Sequence, residues 1–500
     1  MSKIIGGVVA LVGTCVLSLF LLSCGSSSSR PAGVLYVVNQ GLNGSGNSVS
    51  SFAMNLDNGE LEYVNSNAST CPTPVSGPNS NPCGLPLDIL LDPTGATAFV
   101  LNQGVQCPEQ FDPQSGTWIC TPGANAPVPP TIYSYTVNSD GSLSGPGPAV
   151  VWSCGPTVAA SACDYNDTAV AMMRDAAGQF VFVIDSGSFP SPGTTSPPVY
   201  PTCPHTPTGP TDVCPSITVF AMKPGSTTLT QVGSPFYLDK IPTDLSPVTS
   251  PSTINAQELL LVSNNQDICT ASCALPPNSD NTVSVFTVSS SGVLTMQQGK
   301  PYLVTATNPV SVMAVNTNPV NQAGLGGLFV YVGSNSPTGG SLYPFQICTV
   351  VNAVCNAQAV SVGLLTPLQT CTQQQCIDVA PTAAGQNPLQ MLVDPTNNFL
   401  YSLSEGSNQL YAFRISTSAG TLTSLSQSPQ PTGTQPVSMA LHASVNSQGQ
   451  PIYSASGQFL YVSNTLSSNI TGFGLSTANG TMSTLGTQIA PAAPTGIAVH

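Results

Sequence analysis

The sequence predicts an all-β fold, a seven-bladed β-propeller of four-stranded antiparallel blades. Three observations predict it: a strand pattern that recurs seven times, turn chemistry at fixed offsets inside each copy, and two chain ends that are complementary fragments of one copy. The recurring strand carries an apolar residue, two fillers, an aromatic, one filler and a second apolar residue. It spans residues 49–54, 132–137, 217–222, 283–288, 342–347, 410–415 and 470–475, with aromatics at Phe52, Tyr135, Phe220, Phe286, Phe345, Phe413 and Phe473.

The other three strands of each repeat follow in order. A first strand opens with proline, alternates apolar positions and ends in Asp, Asn or His, as at 86–92, 309–316 and 388–394. A tight turn follows, such as Asp92-Pro93-Thr94-Gly95, Asp175-Ala176-Ala177-Gly178 or Asp394-Pro395-Thr396-Asn397, in which Pro and Gly preset the backbone dihedrals. A second apolar strand runs to Asn39, Asn102, Asp185, Asn264, Ser334, Ser404 or Asn464. After the aromatic strand comes a turn with glycine at Gly59, Gly141, Gly225, Gly292, Gly420 or Gly480, of the kind that requires positive φ, and then a fourth strand. The fifth repeat lacks this glycine and has Cys348 and Cys355 there instead. The first strand of the fourth repeat is the least distinct and is placed within 245–254. The chain ends in a first strand, Pro494 to His500, and resumes after its leader with a turn and second strand, Pro31 to Val37, so one blade is expected to be built from both ends and to close the ring.

Charge is the unusual quantity. Only 6% of the 500 residues are charged, against about 25% in an average globular protein. The net charge is −14, with 7 Lys and Arg in total. Binding a phosphate backbone needs clustered cations to displace counterions, so nucleic acid is excluded as a partner. No calcium loop, P-loop, His-rich metal motif or G-x-S-x-G elbow occurs, and no cofactor or metal is expected.

The N-terminus reads as an export signal. Lys3 precedes an apolar stretch from Ile4 to Leu22, ending Leu21-Leu22-Ser23-Cys24-Gly25 and then four serines. This resembles a bacterial lipobox, which implies cleavage before Cys24 and lipid attachment to it; an uncleaved membrane anchor is the alternative. The expected organisation is a leader over 1–23, a Ser-rich tether over 24–30 and a single propeller over 31–500, held at the cell envelope, periplasmic or on the outer surface, as a monomer.

Fourteen further cysteines fall into seven close couples: Cys71 with Cys83, Cys107 with Cys120, Cys154 with Cys163, Cys203 with Cys214, Cys269 with Cys273, Cys348 with Cys355, and Cys371 with Cys376. Each couple lies inside one connecting segment, so local disulfides are the economical reading in an oxidising compartment, although spacing does not prove connectivity. Zinc would need four converging ligands, and the chain has 3 His. Six couples fall in second-to-third or blade-to-blade connections, which share one face of the disc.

The Asp-Pro-x-Gly turn, the Tyr-Val-x-Asn strand end, the Val-x-x-Phe strand and the Gly-Thr-Leu-like turn resemble the seven-bladed lactonase-type propellers, the group around 6-phosphogluconolactonase-like proteins and muconate cyclases that borders on YVTN-repeat surface proteins. The resemblance covers most of 31–500. It implies hydrolysis of a lactone, and the scarcity of Lys and Arg favours an uncharged lactone over a sugar phosphate. The alternative is a non-catalytic surface scaffold that binds protein or glycan through the cysteine-rich loop face.

The candidate site residues are few. Arg174 stands at a first-strand position where other repeats have Leu91, Val315, Val393, Leu441 and Val499; it is either an anion or carbonyl anchor or the partner of a neighbouring carboxylate. His205, inside the Cys203–Cys214 loop, is a candidate general base. Asp88, Asp185, Asp267 and Glu405 fall near the long-loop face and offer acid–base or cation-binding oxygens. His442 and His500 replace the turn aspartate, and Arg414 occupies an outward position.

Overall fold

The protein is described by a computed structural model. It describes residues 33–40, 47–64, 68–70, 85–103, 109–112, 117–120, 130–151, 169–186, 215–238, 240–249, 258–267, 281–297, 302–306, 308–317, 327–336, 339–347, 364–371, 375–443, 458–490 and 493–500. The leader, Cys24 and the tether, together with His205, lie outside these residues.

Seven antiparallel sheets form the blades of a propeller, and no helix occurs among the described residues. From the innermost strand outward, blade 2 is Leu85–Leu91, Thr97–Gln103, Thr131–Val137 and Leu143–Ser144. Blade 3 is Ala169–Arg174, Phe180–Asp185, Ser216–Met222 and Leu229–Gln231. Blade 4 is Lys240–Thr249, Glu258–Asp267, Thr282–Val288 and Leu294–Met296. Blade 5 is Pro309–Asn316, Leu328–Ser334, Gly340–Ile347 and Leu365–Pro367. Blade 6 is Pro388–Val393, Phe399–Ser404, Gln409–Ile415 and Leu422–Ser424, and blade 7 is Pro436–Ala443, Gln458–Asn464, Asn469–Leu475 and Met482–Ile489. Blade 1 takes its innermost strand, Pro494–Val499, from the C-terminus and pairs it with Val34–Asn39, Ser48–Met54 and Leu61–Tyr63. The expected split blade is therefore the one that closes the ring.

The core is distributed as seven apolar layers, one between each pair of neighbouring blades. Each recurring aromatic packs toward the preceding blade: Phe52 against blade 7, Tyr135 against blade 1, Phe220 against blade 2, and so on to Phe473 against blade 6. All seven rings are buried. The period-2 alternation of a strand thus fills two layers at once, one on each face of the sheet.

A second contact joins the blades. Where the second strand carries tyrosine, its hydroxyl donates to the carbonyl of the turn glycine one blade further on. Tyr36 reaches Gly141 O at 2.9 Å, Tyr331 reaches Gly420 O at 2.8 Å, Tyr401 reaches Gly480 O at 3.1 Å and Tyr461 reaches Gly59 O at 2.7 Å. Gly59 has φ 73°, and a Cβ there would also run into the Phe459 ring at 2.5 Å. Glycine is required twice over at that turn, for its dihedral and for the aromatic it supports.

One expectation needs correction, and a second, the four-stranded blade, holds with added detail at its outer edge. The first strand of the fourth repeat spans Lys240–Thr249, not a segment within 245–254. Pro242-Thr243-Asp244-Leu245 repeats the Pro86-Leu87-Asp88-Ile89 pattern, which a second proline, Pro247, obscures. Pro247 is tolerated because an innermost strand has a neighbour on one side only. Second, among the described residues the fourth strand is continuous only in blade 7. In blades 1 to 6 the third strand pairs with two separate short strands, as Ser48–Met54 does with Leu61–Tyr63 and Ala68–Ser69. Short, interrupted outer edges offer little template for pairing with another chain.

Of the seven expected disulfides, one is described in part, with Cys371 described by its backbone only. Cys376 is disulfide-bonded, and it stands directly opposite Cys371 in the hairpin Gln369–Cys371/Cys376–Asp378. The pairings expected of Cys71 with Cys83, Cys154 with Cys163, Cys203 with Cys214, Cys269 with Cys273, and Cys348 with Cys355 lie outside the described residues. So does that of Cys107 with Cys120, where Cys120 is described only as the backbone end of the strand Thr117–Cys120.

Candidate functional site at the channel mouth

Each innermost strand begins at the long-loop face with the same irregularity. The register shifts within the first few residues, between Pro86 and Asp88, Ala169 and Ala171, Pro242 and Asp244, Pro309 and Ser311, Pro388 and Gln390, Pro436 and Ser438, and, in blade 1, between Pro494 and Ile497. A bulge leaves one residue unpaired and re-aims its side chain. The bulged residues Leu87, Val170, Thr243, Val310 and Leu389 line a cavity of about 590 Å³ at the channel mouth. Gln103, Ser186 and Asn265, at the ends of second strands, and Asn387 add polar groups to its wall. Among the described residues no cationic side chain lines it.

The residue after each bulge turns sideways toward the next blade's innermost strand. Asp88 accepts hydrogen bonds from the backbone N–H of Ile89 at 2.8 Å and from that of Met172 in blade 3. Asp244 does the same with Leu245 at 2.8 Å and Val312 of blade 5 at 2.9 Å. In blade 6 the position is Gln390, whose Oε1 accepts from Met439 of blade 7 at 2.6 Å. In blade 1 it is Gly496, packed so close that a Cβ would lie 2.6 Å from Asp88 Cα.

An amide therefore performs the blade-joining task as well as a carboxylate, and the charge in blades 2 and 4 is surplus to it. Burial pushes the Asp88 carboxyl up to about 6 against the pull of its two N–H donors. Burial pushes Asp244 up to about 7, and the charge of Asp88 adds to the rise. Asp88 and Asp244 each follow a cavity-lining residue, Leu87 and Thr243, and burial raises both carboxyls.

The remaining candidates are placed as follows. Asp185 is buried at the end of its strand, where Oδ2 accepts from Ser216 Oγ at 2.5 Å and Oδ1 from Ser216 N at 3.2 Å; it caps the entry of the third strand. Glu405 stands behind the cavity wall: Oε2 accepts from Asn387 Nδ2 at 2.6 Å and Oε1 from Gln435 Nε2 at 3.1 Å, which orients Asn387. Arg174 ends the innermost strand whose first residue, Ala169, lines the cavity. Five residues of strand separate the two, roughly 16 Å, so Arg174 belongs to the opposite face, beside the charges of Asp175 and Asp92. Arg414 lies on the surface with its guanidinium 4.8 Å from the centroid of the Phe399 ring. The side chain of Asp267 lies outside the described residues. Asp244 is a candidate that sequence reasoning missed; its signal was the match of Pro242-Thr243-Asp244 to Pro86-Leu87-Asp88.

No protein-family model matches the chain, and no curated protein sequence matches it. Among solved structures, the periplasmic gluconolactonase PpgL of Pseudomonas aeruginosa is similar, with a TM-score of 0.50 and 16% identity, covering 93% of this chain and 99% of that one. A functionally unknown protein of Desulfotomaculum acetoxidans has a TM-score of 0.48 at 11% identity, over 93% of this chain and 98% of its own. A candidate 6-phosphogluconolactonase of Bacteroides fragilis has a TM-score of 0.40 at 13% identity, over 81% of this chain and 96% of its own. The likeness to PpgL is one of fold.

Proposed function

We propose that the protein is a lactonase-like hydrolase of an uncharged lactone, with Asp88 as general base and Asp244 as general acid. The observation that carries this reading is the placement of Asp88 and Asp244 directly after the cavity-lining Leu87 and Thr243, with burial raising both carboxyls, at a strand position where Gln390 joins two blades without a charge. The fold shared with a periplasmic gluconolactonase supports the same class of chemistry.

In this reaction Asp88, the more acidic of the two, takes a proton from a water as its oxygen bonds to the lactone carbonyl carbon. The tetrahedral intermediate collapses, the ring C–O bond breaks, and Asp244 gives its proton to the departing ring oxygen. The product is the open hydroxy acid, and a proton passes from Asp88 to Asp244 through solvent to restore the pair. The aliphatic bulge residues exclude water around the ring, and the amides of Gln103 and Asn265 offer polarity toward the carbonyl. Environments that push two carboxyls apart in pKa are what assign one to each role.

Hydrolysis of a panel of neutral lactones tests this. Asp88→Asn and Asp244→Asn keep acceptors for the blade-joining N–H groups, so both variants should fold. Each is expected to lower kcat/KM about 10²–10⁴-fold, the usual worth of a general acid or base. The wild-type profile is expected to be a narrow bell, rising as Asp88 ionises near pH 6 and falling as Asp244 loses its proton near pH 7. Absence of turnover on every neutral lactone would sink the enzyme reading and leave the surface scaffold, which the long, cysteine-rich connections of the same face favour.

We further place the chain outside the cytoplasm, monomeric, tethered by lipid on Cys24, with the seven cysteine couples joined as disulfides. Incorporation of labelled palmitate that disappears in Cys24→Ala is the expected result.

A further inference from the structure

The turn between the first and second strands of a blade is built around an aspartate whose two oxygens have separate tasks. In blade 2, Asp92 Oδ1 accepts from Thr97 N at 2.8 Å. Its Oδ2 accepts from Thr94 Oγ1 at 2.6 Å and from Gly225 N of blade 3 at 2.7 Å. In blade 6, Asp394 Oδ1 accepts from Asn398 N and Phe399 N at 2.9 and 2.7 Å, and Oδ2 accepts from the backbone and hydroxyl of Thr396.

Blade 3 departs from this plan. Asp175 Oδ1 accepts from Gln179 N and Phe180 N at 2.7 and 2.8 Å, as in the other turns. At the threonine position stands Ala177, so no hydroxyl reaches Oδ2, which is buried without a donor from the turn. What meets Asp175 there is the carboxyl of Glu258, at the start of the second strand of blade 4, whose own Oε1 is buried with no other partner. Two carboxyls hydrogen-bonded to each other in a buried place need a proton between them, because neither oxygen can donate when both are ionised.

We infer that Glu258 holds a proton that it donates to Asp175 Oδ2, clasping blades 3 and 4 and filling the place that a threonine hydroxyl takes in the turns of blades 2 and 6. The clasp is pH-sensitive, unlike a threonine. Burial pushes the Glu258 carboxyl up to about 7, and the Asp175 charge adds to the rise. The other charged groups in the surroundings are Arg174 and Asp92; Arg174 senses the charges of both Asp175 and Asp92. The adjoining segments 250–257 and 289–293 contain no ionisable side chain. Because the folded value lies above the ordinary 4.5, the stability from this proton is complete below pH 4.5 and is lost as pH rises through about 7.

Equilibrium unfolding between pH 4.5 and 8.5 tests the inference, with Glu258→Gln and Ala177→Thr beside the wild type. The wild type is expected to lose stability with a component centred near pH 7. Glu258→Gln keeps an N–H donor at every pH and should lose the Glu258 share of that component, leaving the part that Asp88 and Asp244 contribute, while matching or exceeding the wild type at pH 8.5. Ala177→Thr supplies the hydroxyl of Thr94 and Thr396 and should weaken the component. In infrared difference spectra, Glu258→Gln should remove one protonated-carboxyl band present at pH 6. A Glu258→Gln curve parallel to the wild type at all pH values overturns the inference. So does stabilisation of the wild type by added calcium at pH 8.5, which would make the pair a cation ligand instead.

Discussion

His442 shows how one position can serve the scaffold while setting its limits. It replaces the turn aspartate of blade 7, is buried with Nε2 unpartnered, and stacks on Phe459 with ring centroids 6.5 Å apart. Burial, with the neighbouring His500 second, lowers its pKa to about 4. A histidine depressed below its usual 6.5 stabilises the fold above that value and loses the contribution as pH falls toward 4. We expect acid unfolding of the wild type to include this component and His442→Phe to shift the acid midpoint downward, measured by fluorescence or circular dichroism. Asp88, Asp244 and Glu258 act in the opposite sense, since their raised values favour the fold when protonated. At the same scale, the sequence exposed Asp88 as a carboxylate near the long-loop face. It could not show that Gln390 does the same joining task without charge, because that equivalence depends on which neighbouring N–H each side chain meets.

At the scale of the strand, the bulge near the start of the innermost strand is the device that makes a site. It turns Leu87, Val170, Thr243, Val310 and Leu389 into the cavity and leaves the following residue to bind the next blade. The alternation of apolar residues predicted the strands but not the bulge, since inserting one residue costs no hydrophobicity and changes only direction. Gly496 marks the tightest of these junctions, with no room for a Cβ against the Asp88 backbone. Gly496→Ala is expected to destabilise by about 1–3 kcal/mol, the usual cost of overpacking, seen as a lower urea midpoint. It should also disturb the position of Asp88 and lower lactone turnover if the proposed chemistry holds. The fourth strand teaches a related lesson: glycine turns announced it, yet its interruption in six blades follows from how far each outer edge can keep pairing with the third strand.

At the scale of the whole molecule, stability rests on contacts that repeat around a closed ring. Tyr461 donates to Gly59 O across 402 residues of chain, and Phe459 rests on the same glycine. The identical pair elsewhere joins Tyr401 to Gly480 O. Tyr461→Phe and Tyr401→Phe should therefore cost alike, about 1 kcal/mol each for a lost hydrogen bond, by chemical denaturation. Removal of Pro494–Val499 is a larger change: it bares the Val34–Asn39 strand and strips one wall from the channel. Such a truncated chain is expected to aggregate, with a loss of the cooperative unfolding transition detectable by calorimetry and size exclusion.

The sequence by itself determined the blade count, the seven aromatics, the glycine turns and the closure of the ring by both chain ends, because each is a short-range pattern written once per repeat. It also determined that the channel holds few cations, since the chain has almost none to place. Only the tertiary structure decided what the non-repeating residues meet: Asp88 the Met172 N–H, Asp244 the Val312 N–H, Glu258 the Asp175 carboxyl, and Arg174 a place away from the cavity. The physical reason is that pKa, hydrogen-bond partner and access to the channel belong to neighbours supplied by other blades. A linear pattern specifies what each blade is, whereas the ring determines what each blade faces.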